Sequence, residues 1–218
     1  MKRDEIEDYV KEALADLESL EKDDDLIPVA ISVCRVTLSR LPPSDWQNRY
    51  KIVKNFVHYI GNRMPPPISI SDSRLAIHIL LDLEKQIPSR DKKKIARCRF
   101  FLAYLFSNSP AGKTSRNRRR AIKYWSLARQ SYLRFGDRET WAEITNALAE
   151  AYVQVYKGEK GITKAINLTK AALKVFTRDK YPEEHQIYSD FVADLKSELR
   201  FSHPKHKKWS PIRARVNR

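Results

Sequence analysis

The dipeptide Ala-Ile occurs four times at almost constant spacing: Ala30-Ile31, Ala76-Ile77, Ala121-Ile122 and Ala165-Ile166. The intervals are 46, 45 and 44 residues. Self-similarity at such a period marks a chain of stacked repeats, each too small to bury its own apolar face. The flanks agree. Three residues after each Ala stand Val33, Ile79, Tyr124 and Leu168, and eleven after stand Leu41, Ile87, Tyr132 and Phe176. Offsets of 1, 3 and 11 fall on one face of an α-helix, so each repeat supplies one amphipathic helix, its second.

The first helices are predicted from apolar residues at i, i+3, i+4 and i+7 over 3–22, 44–61, 91–107 and 139–156, with a closing helix over 182–200. Ser44 and Asp45 suit a cap before Trp46, and Ser71 and Asp72 one before Ala76. Pro42-Pro43, Pro65-Pro66-Pro67, Pro110, Gly112, Gly158 and Gly161 fall between helices as breakers. Ile68-Ser-Ile70-Ser alternates, but it lies between a Pro run and a cap. The expectation is an all-α chain of about nine helices, four pairs and a closing one. Residues 1–200 are read as one repeat domain with units near 3–41, 44–87, 91–135 and 139–177, and 201–218 as a flexible basic arm.

The segment from Gly158 to Glu184 resembles the long tetratricopeptide-type repeats common in cyanobacterial proteins. Asn146, Leu148, Ala151 and Tyr152 match the first part of that pattern. Ala165, Ile166, Ala171, Leu173, Val175, Phe176, Thr177, Arg178, Tyr181 and Pro182 match the second. Trp141 holds the Trp position one unit earlier, His185 departs from it in the last unit, and Ala149 replaces the usual Gly. The resemblance implies a right-handed α-solenoid acting as a protein-interaction scaffold, of the kind often fused to CHAT protease or signalling modules. It places a concave groove along the first helices. Asn55, Arg97, Tyr104 and Asn146 are its candidate protein-contacting residues.

Charge is unevenly spread. Forty-two Lys and Arg against 27 Asp and Glu give a net +15. Residues 1–25 net −7, 90–134 net +13 and 200–218 net +7. The third repeat holds Lys92, Lys93, Lys94, Arg97 and Arg99, then Lys113, Arg116, Arg118, Arg119, Arg120 and Lys123. Cations at a helix N-terminus oppose the macrodipole, so two such clusters point to an anionic partner. The alternative function is therefore RNA or DNA binding through this repeat and the tail residues Lys205, Lys207, Lys208, Arg213 and Arg215. Pairing of the acidic N-terminal helix with the basic arm would instead make oligomers.

Catalytic chemistry finds little support. Five Gly and no phosphate-loop pattern leave nucleotide cradles without a basis. No H-E-x-x-H occurs among five His, and Asp23-Asp24-Asp25 lacks further oxygen ligands at EF-hand spacing. The expectation is a non-enzyme without metal or cofactor. Cys34 and Cys98 read as reduced core thiols, and the N-terminus has no secretory h-region, so a cytoplasmic location with no membrane span is expected.

Overall fold

In the computed structural model, residues 3–19, 27–61, 70–108 and 114–202 are described. Among them the chain forms nine α-helices and no strand: α1 (Arg3–Ser19), α2 (Ile27–Arg40), α3 (Trp46–Gly61), α4 (Ile70–Gln86), α5 (Lys92–Asn108), α6 (Thr114–Phe135), α7 (Arg138–Val155), α8 (Glu159–Ala172) and α9 (Pro182–Ser202). No helix of the described residues is long and apolar enough to cross a membrane. The helices fall into two compact bodies, Met1–Arg138 and Glu139–Arg218.

The repeat is visible in the backbone as well as in the dipeptide. After each second helix, the amide fifteen residues beyond the repeat's Ala donates to the carbonyl twelve beyond it. These bonds run from Asp45 to Pro42 (3.0 Å), Asp91 to Pro88 (2.9 Å), Gly136 to Leu133 (3.3 Å) and Lys180 to Thr177 (3.2 Å). In three repeats this bond closes a turn between helices; in the third, Leu133 is still inside α6 and the bond ends that helix on Gly136, at φ +76°. In three repeats the residue at offset 11 also closes the helix end onto offset 7: Leu41 to Thr37, Ile87 to Leu83 and Phe176 to Ala172. In the third repeat Tyr132 stays inside the longer α6.

The buried face differs from the predicted one. It takes the Ala (Ala76, Ala121, Ala165), offset 4 (Cys34, Leu80, Trp125, Thr169), offset 7 (Thr37, Leu83, Ala128, Ala172) and offset 11 (Leu41, Ile87, Phe176). At 3.6 residues per turn, offsets 0, 4, 7 and 11 are nearly eclipsed, whereas 1 and 3 lie at the edges of that stripe. Accordingly Ile77, Ile79, Val33, Ile122 and Tyr124 are only half-buried, whereas in the fourth repeat Ile166 and Leu168 are buried as the sequence predicts. Within the first body, α1 packs on α2 and α3, and each later helix packs on the next through α6. Leu80, Leu83, Leu102 and Leu105 are fully enclosed there, each contributing about 1.5–3 kcal/mol by burial.

Local signals explain several boundaries. Asp45 caps α3, its carboxylate accepting from the Asn48 amide (3.3 Å) and side chain (2.9 Å). The Arg49 guanidinium donates to the carbonyls of Leu38 and Leu41, satisfying the end of α2. The second cap lies elsewhere than expected: α4 already includes Ser71 and Asp72, beginning at Ile70. Gly161 is no breaker. It sits inside α8, where a Cβ would lie 1.8 Å from the carbonyl oxygen of Tyr156. Gly158, at φ +87°, opens that helix from the left-handed region.

In the second body, Ala142, Ala172 and Phe176 form a core with Trp141, Val175, Tyr181 and Tyr188 against it. The Phe176 ring meets Tyr181 edge-on at 5.0 Å and Tyr188 at 5.5 Å. Tyr181 donates its hydroxyl to Glu139, and a ring nitrogen of His185 lies 2.9 Å from the Phe176 carbonyl. Trp141, Phe176 and Tyr181, three residues that carried the family resemblance, are thus packing residues of one cluster.

Candidate functional site

Two surface clefts of the first body stand out, one by size and one by charge. The first is a cleft of about 1150 Å³ between α1 and α3, the first helices of the first two repeats. From α1 come Ile6, Glu7, Val10, Lys11, Leu14 and Ala15; from the start of α3 come Asp45, Trp46, Gln47, Asn48 and Lys51. The apolar floor follows from the α1 stripe, because positions 6, 10 and 14 recur at one turn plus. Val10 is buried, whereas Leu14 and Trp46 are half-buried and open to the cleft. Trp46 is held from its other side by the Lys94 ammonium, 4.7 Å from the ring centre.

The second is a smaller basic cleft of about 380 Å³ on the N-terminal half of α6, lined by Ser115, Arg116, Arg119, Arg120 and Lys123. The four cations stand at i, i+3, i+4 and i+7, one face of the helix. All four are exposed. Arg120 lies 5.5 Å over the Phe106 ring, and Lys123 5.8 Å from the centre of Tyr124. Phe106 and Tyr124 stack at 5.7 Å, and Trp125 donates to Ser107 at 3.1 Å, which pins the middle of α6 against the end of α5.

This pairing divides the basic patch expected from the sequence. Phe100 meets Trp125, whereas Phe106, further along α5, meets Arg120, earlier on α6, so the two helices run antiparallel. Lys92 and Lys93 therefore lie roughly 20 Å along the hairpin from the Arg116–Lys123 face, taking 1.5 Å per residue. Lys94 is committed to Trp46, Tyr50 and Asp91. Arg99 is committed to Glu84 at 2.7 Å. Arg118 is half-buried, two residues around the helix from Arg116, with its Nε enclosed. The face that is left is Arg116, Arg119, Arg120 and Lys123.

The four groove residues chosen from the sequence do not line the α1–α3 cleft. Asn55 is half-buried further along α3. Arg97 is half-buried with its guanidinium 5.9 Å over Phe101. Tyr104 is half-buried in α5, burial raising its phenol pKa, and its carbonyl accepts from Asn108. Asn146 is buried: it accepts from Thr169 at 3.1 Å and donates to Glu150 at 3.0 Å, tying α7 to α8. The cleft residues were legible only as a core stripe. The signal passed over was the acid-rich solvent side of α1 beside an aromatic at the start of α3.

Lys113, the tail residues Lys205, Lys207, Lys208, Arg213 and Arg215, and Asp23-Asp24-Asp25 lie outside the described residues. So does the pairing of termini that involves the arm. Among the described residues no three His, Cys, Asp or Glu side chains gather as metal ligands, and His78 pairs with Asp82 at 3.3 Å. Cys34 and Cys98 are buried free thiols, both pushed up to about 12 by burial. No family model matches this chain, and no curated protein or solved structure matches it significantly.

Proposed function

We propose that this chain is a non-enzymatic binding protein of tetratricopeptide-like type whose α1–α3 cleft receives an amphipathic segment of a protein partner. The cleft itself carries the reading. It lies between the first helices of adjacent repeats, offers Ile6, Val10, Leu14 and Trp46 as an apolar floor, and has charged groups of both signs on its rim. The recurrence of one inter-repeat turn and one buried face supports the repeat reading, and solenoid stacking is proposed on that basis for Met1–Arg138. The rim charges, Glu7 and Asp45 against Lys11 and Lys51, favour a segment that carries charges of both signs beside its apolar anchors.

A photo-crosslinking residue placed at exposed Gln47 tests this in cells. A discrete protein adduct is expected that disappears with Leu14→Asp and persists when the α6 cations are neutralised. An adduct no stronger than from exposed Glu198 in α9 would sink the proposal.

A further inference from the structure

We infer that the Arg116–Arg119–Arg120–Lys123 face is a second binding site, for the phosphate backbone of a nucleic acid. It is independent of the α1–α3 cleft. The residues 92–135 hold 13 Lys and Arg and no Asp or Glu. Most of those cations in the described part have other positions or partners, as above, but four converge on one cleft. Among the described residues no carboxylate pairs with any of the four.

Among the described residues the lining side chains are four cations and one hydroxyl, Ser115, and the apolar surface there belongs to the methylene stems of the cations rather than to an apolar side chain. Protein–protein interfaces carry an apolar, aromatic-rich core, and a membrane-seated helix presents apolar side chains beside its cations. Neither is present here. A phosphate backbone asks only for what this face has. Three of the four residues are Arg, whose planar fork matches phosphate oxygens two at a time. The face also has the right length. Seven residues of helix span roughly 10 Å, the rise of about three phosphates along one strand. Backbone contact of this kind is blind to base sequence.

The position reinforces the sign of the field. Arg116 stands in the first turn of α6, where the free amides of the helix start already favour an anion, and the other three cations follow in the next two turns. The packing of Phe106 and Tyr124 beneath Arg120 and Lys123 holds the two side chains against a fixed surface.

The test is a salt series of binding to fluorescent single-stranded RNA and duplex DNA. It compares the full chain with a variant carrying Arg116→Gln, Arg119→Gln, Arg120→Gln and Lys123→Gln, and with a control carrying Lys92→Gln and Lys93→Gln. Keeping residues 203–218 in all three holds their contribution constant. Three phosphate contacts predict that the slope of log affinity against log salt falls in the quadruple variant by about 2.7 on duplex DNA and about 2 on single-stranded RNA. Equivalently, between 50 and 200 mM salt the intact protein loses roughly 40-fold more affinity than the variant on DNA and roughly 20-fold more on RNA. The control is expected to change affinity less than threefold. Unchanged slope in the quadruple variant, or equal loss in the control, overturns the proposal. Absence of RNA and DNA binding at 50 mM salt does the same. So does wild-type binding to phosphatidylserine vesicles or a poly-glutamate peptide that exceeds binding to nucleic acid and is lost in the same variant. A far-ultraviolet melt of each protein confirms that folding is retained.

Discussion

At the scale of single residues, the sequence misread what several side chains are for. Gly161 looked like punctuation, yet it is a place where two backbones meet. Gly161→Ala would drive a methyl into the Tyr156 carbonyl oxygen, which belongs to the chain entering the helix and cannot rotate away. The expected cost is about 3 kcal/mol, at the upper end for overpacking, read as a drop in urea midpoint. By contrast, the reverse change at an exposed helix position, Ala193→Gly in α9, would cost about 1 kcal/mol by helix propensity alone. The thiols behave as foreseen from their apolar positions, and they make a pH prediction. Burial raises Cys34 and Cys98 to about 12, with Glu84 also raising Cys98 and Arg99 opposing. The folded state therefore favours the neutral thiol. That stabilisation is fully present below the unfolded thiol value near 9 and is lost as pH rises toward 12. Each thiol contributes a slope of about 1.4 kcal/mol per pH unit inside that window. Chemical denaturation at pH 9.5 and 10.5 should show the intact protein losing stability more steeply than Cys98→Ala by about that amount; equal slopes would contradict the assignment.

At the scale of elements, helix positions were well read because apolar periodicity over a dozen or more residues outweighs any single misplaced residue. All nine described helices lie where stripes or Ala-Ile anchors put them. Their facing was read less well. The repeat's deepest positions, offsets 4 and 7, hold Cys34, Leu80, Trp125 and Thr169, then Thr37, Leu83, Ala128 and Ala172. Such mixed chemistry hides a shared face from a comparison of residue types. The inter-repeat turn is hidden for the same reason: its carbonyl comes from Pro42, Pro88 or Thr177. Backbone geometry recurs there without side-chain likeness. The basic clusters divide at this scale too. On α5, Asp91 and the Trp46 ring occupy Lys94, and Glu84 occupies Arg99, so that end has a structural account. On α6 the four cations repel one another at i, i+3 and i, i+4 and oppose the helix dipole. Removing these charges should stabilise the helix by roughly 1 kcal/mol at low ionic strength. The quadruple glutamine variant is therefore expected to melt a few degrees above the intact protein at 20 mM salt, with the gap closing at 500 mM. A lower melting temperature at both salts would mean that the side chains serve packing instead.

At the scale of the whole molecule, the repeat period runs through residues 1–200 and so reads as one repeat domain. Within that run the helices gather into two compact bodies divided after Arg138. The period gives the chain's internal order but not how tightly neighbouring repeats share a core, which depends on side-chain volumes at each joint. The second body has a core of its own. Ala142, Ile144, Leu148, Ile162, Ala165, Phe176, Val192 and Leu195 are buried, and the Thr169–Asn146 hydrogen bond ties α7 to α8. Three helices of this length sit near the lower size limit for independent folding, where a lone core rarely supplies more than about 3–5 kcal/mol. Residues 139–202 expressed alone are therefore expected to be helical and to unfold in one cooperative transition, with a stability of about 2 kcal/mol. Asn146→Ala in that fragment removes the acceptor of a buried Thr169 hydroxyl, a loss of about 1–3 kcal/mol. Since this equals the whole reserve, the variant fragment should be largely unfolded at 25 °C. A fragment without a cooperative transition, or one whose variant melts unchanged, would show that the Glu139–Arg218 core and its buried pair do not hold this body together.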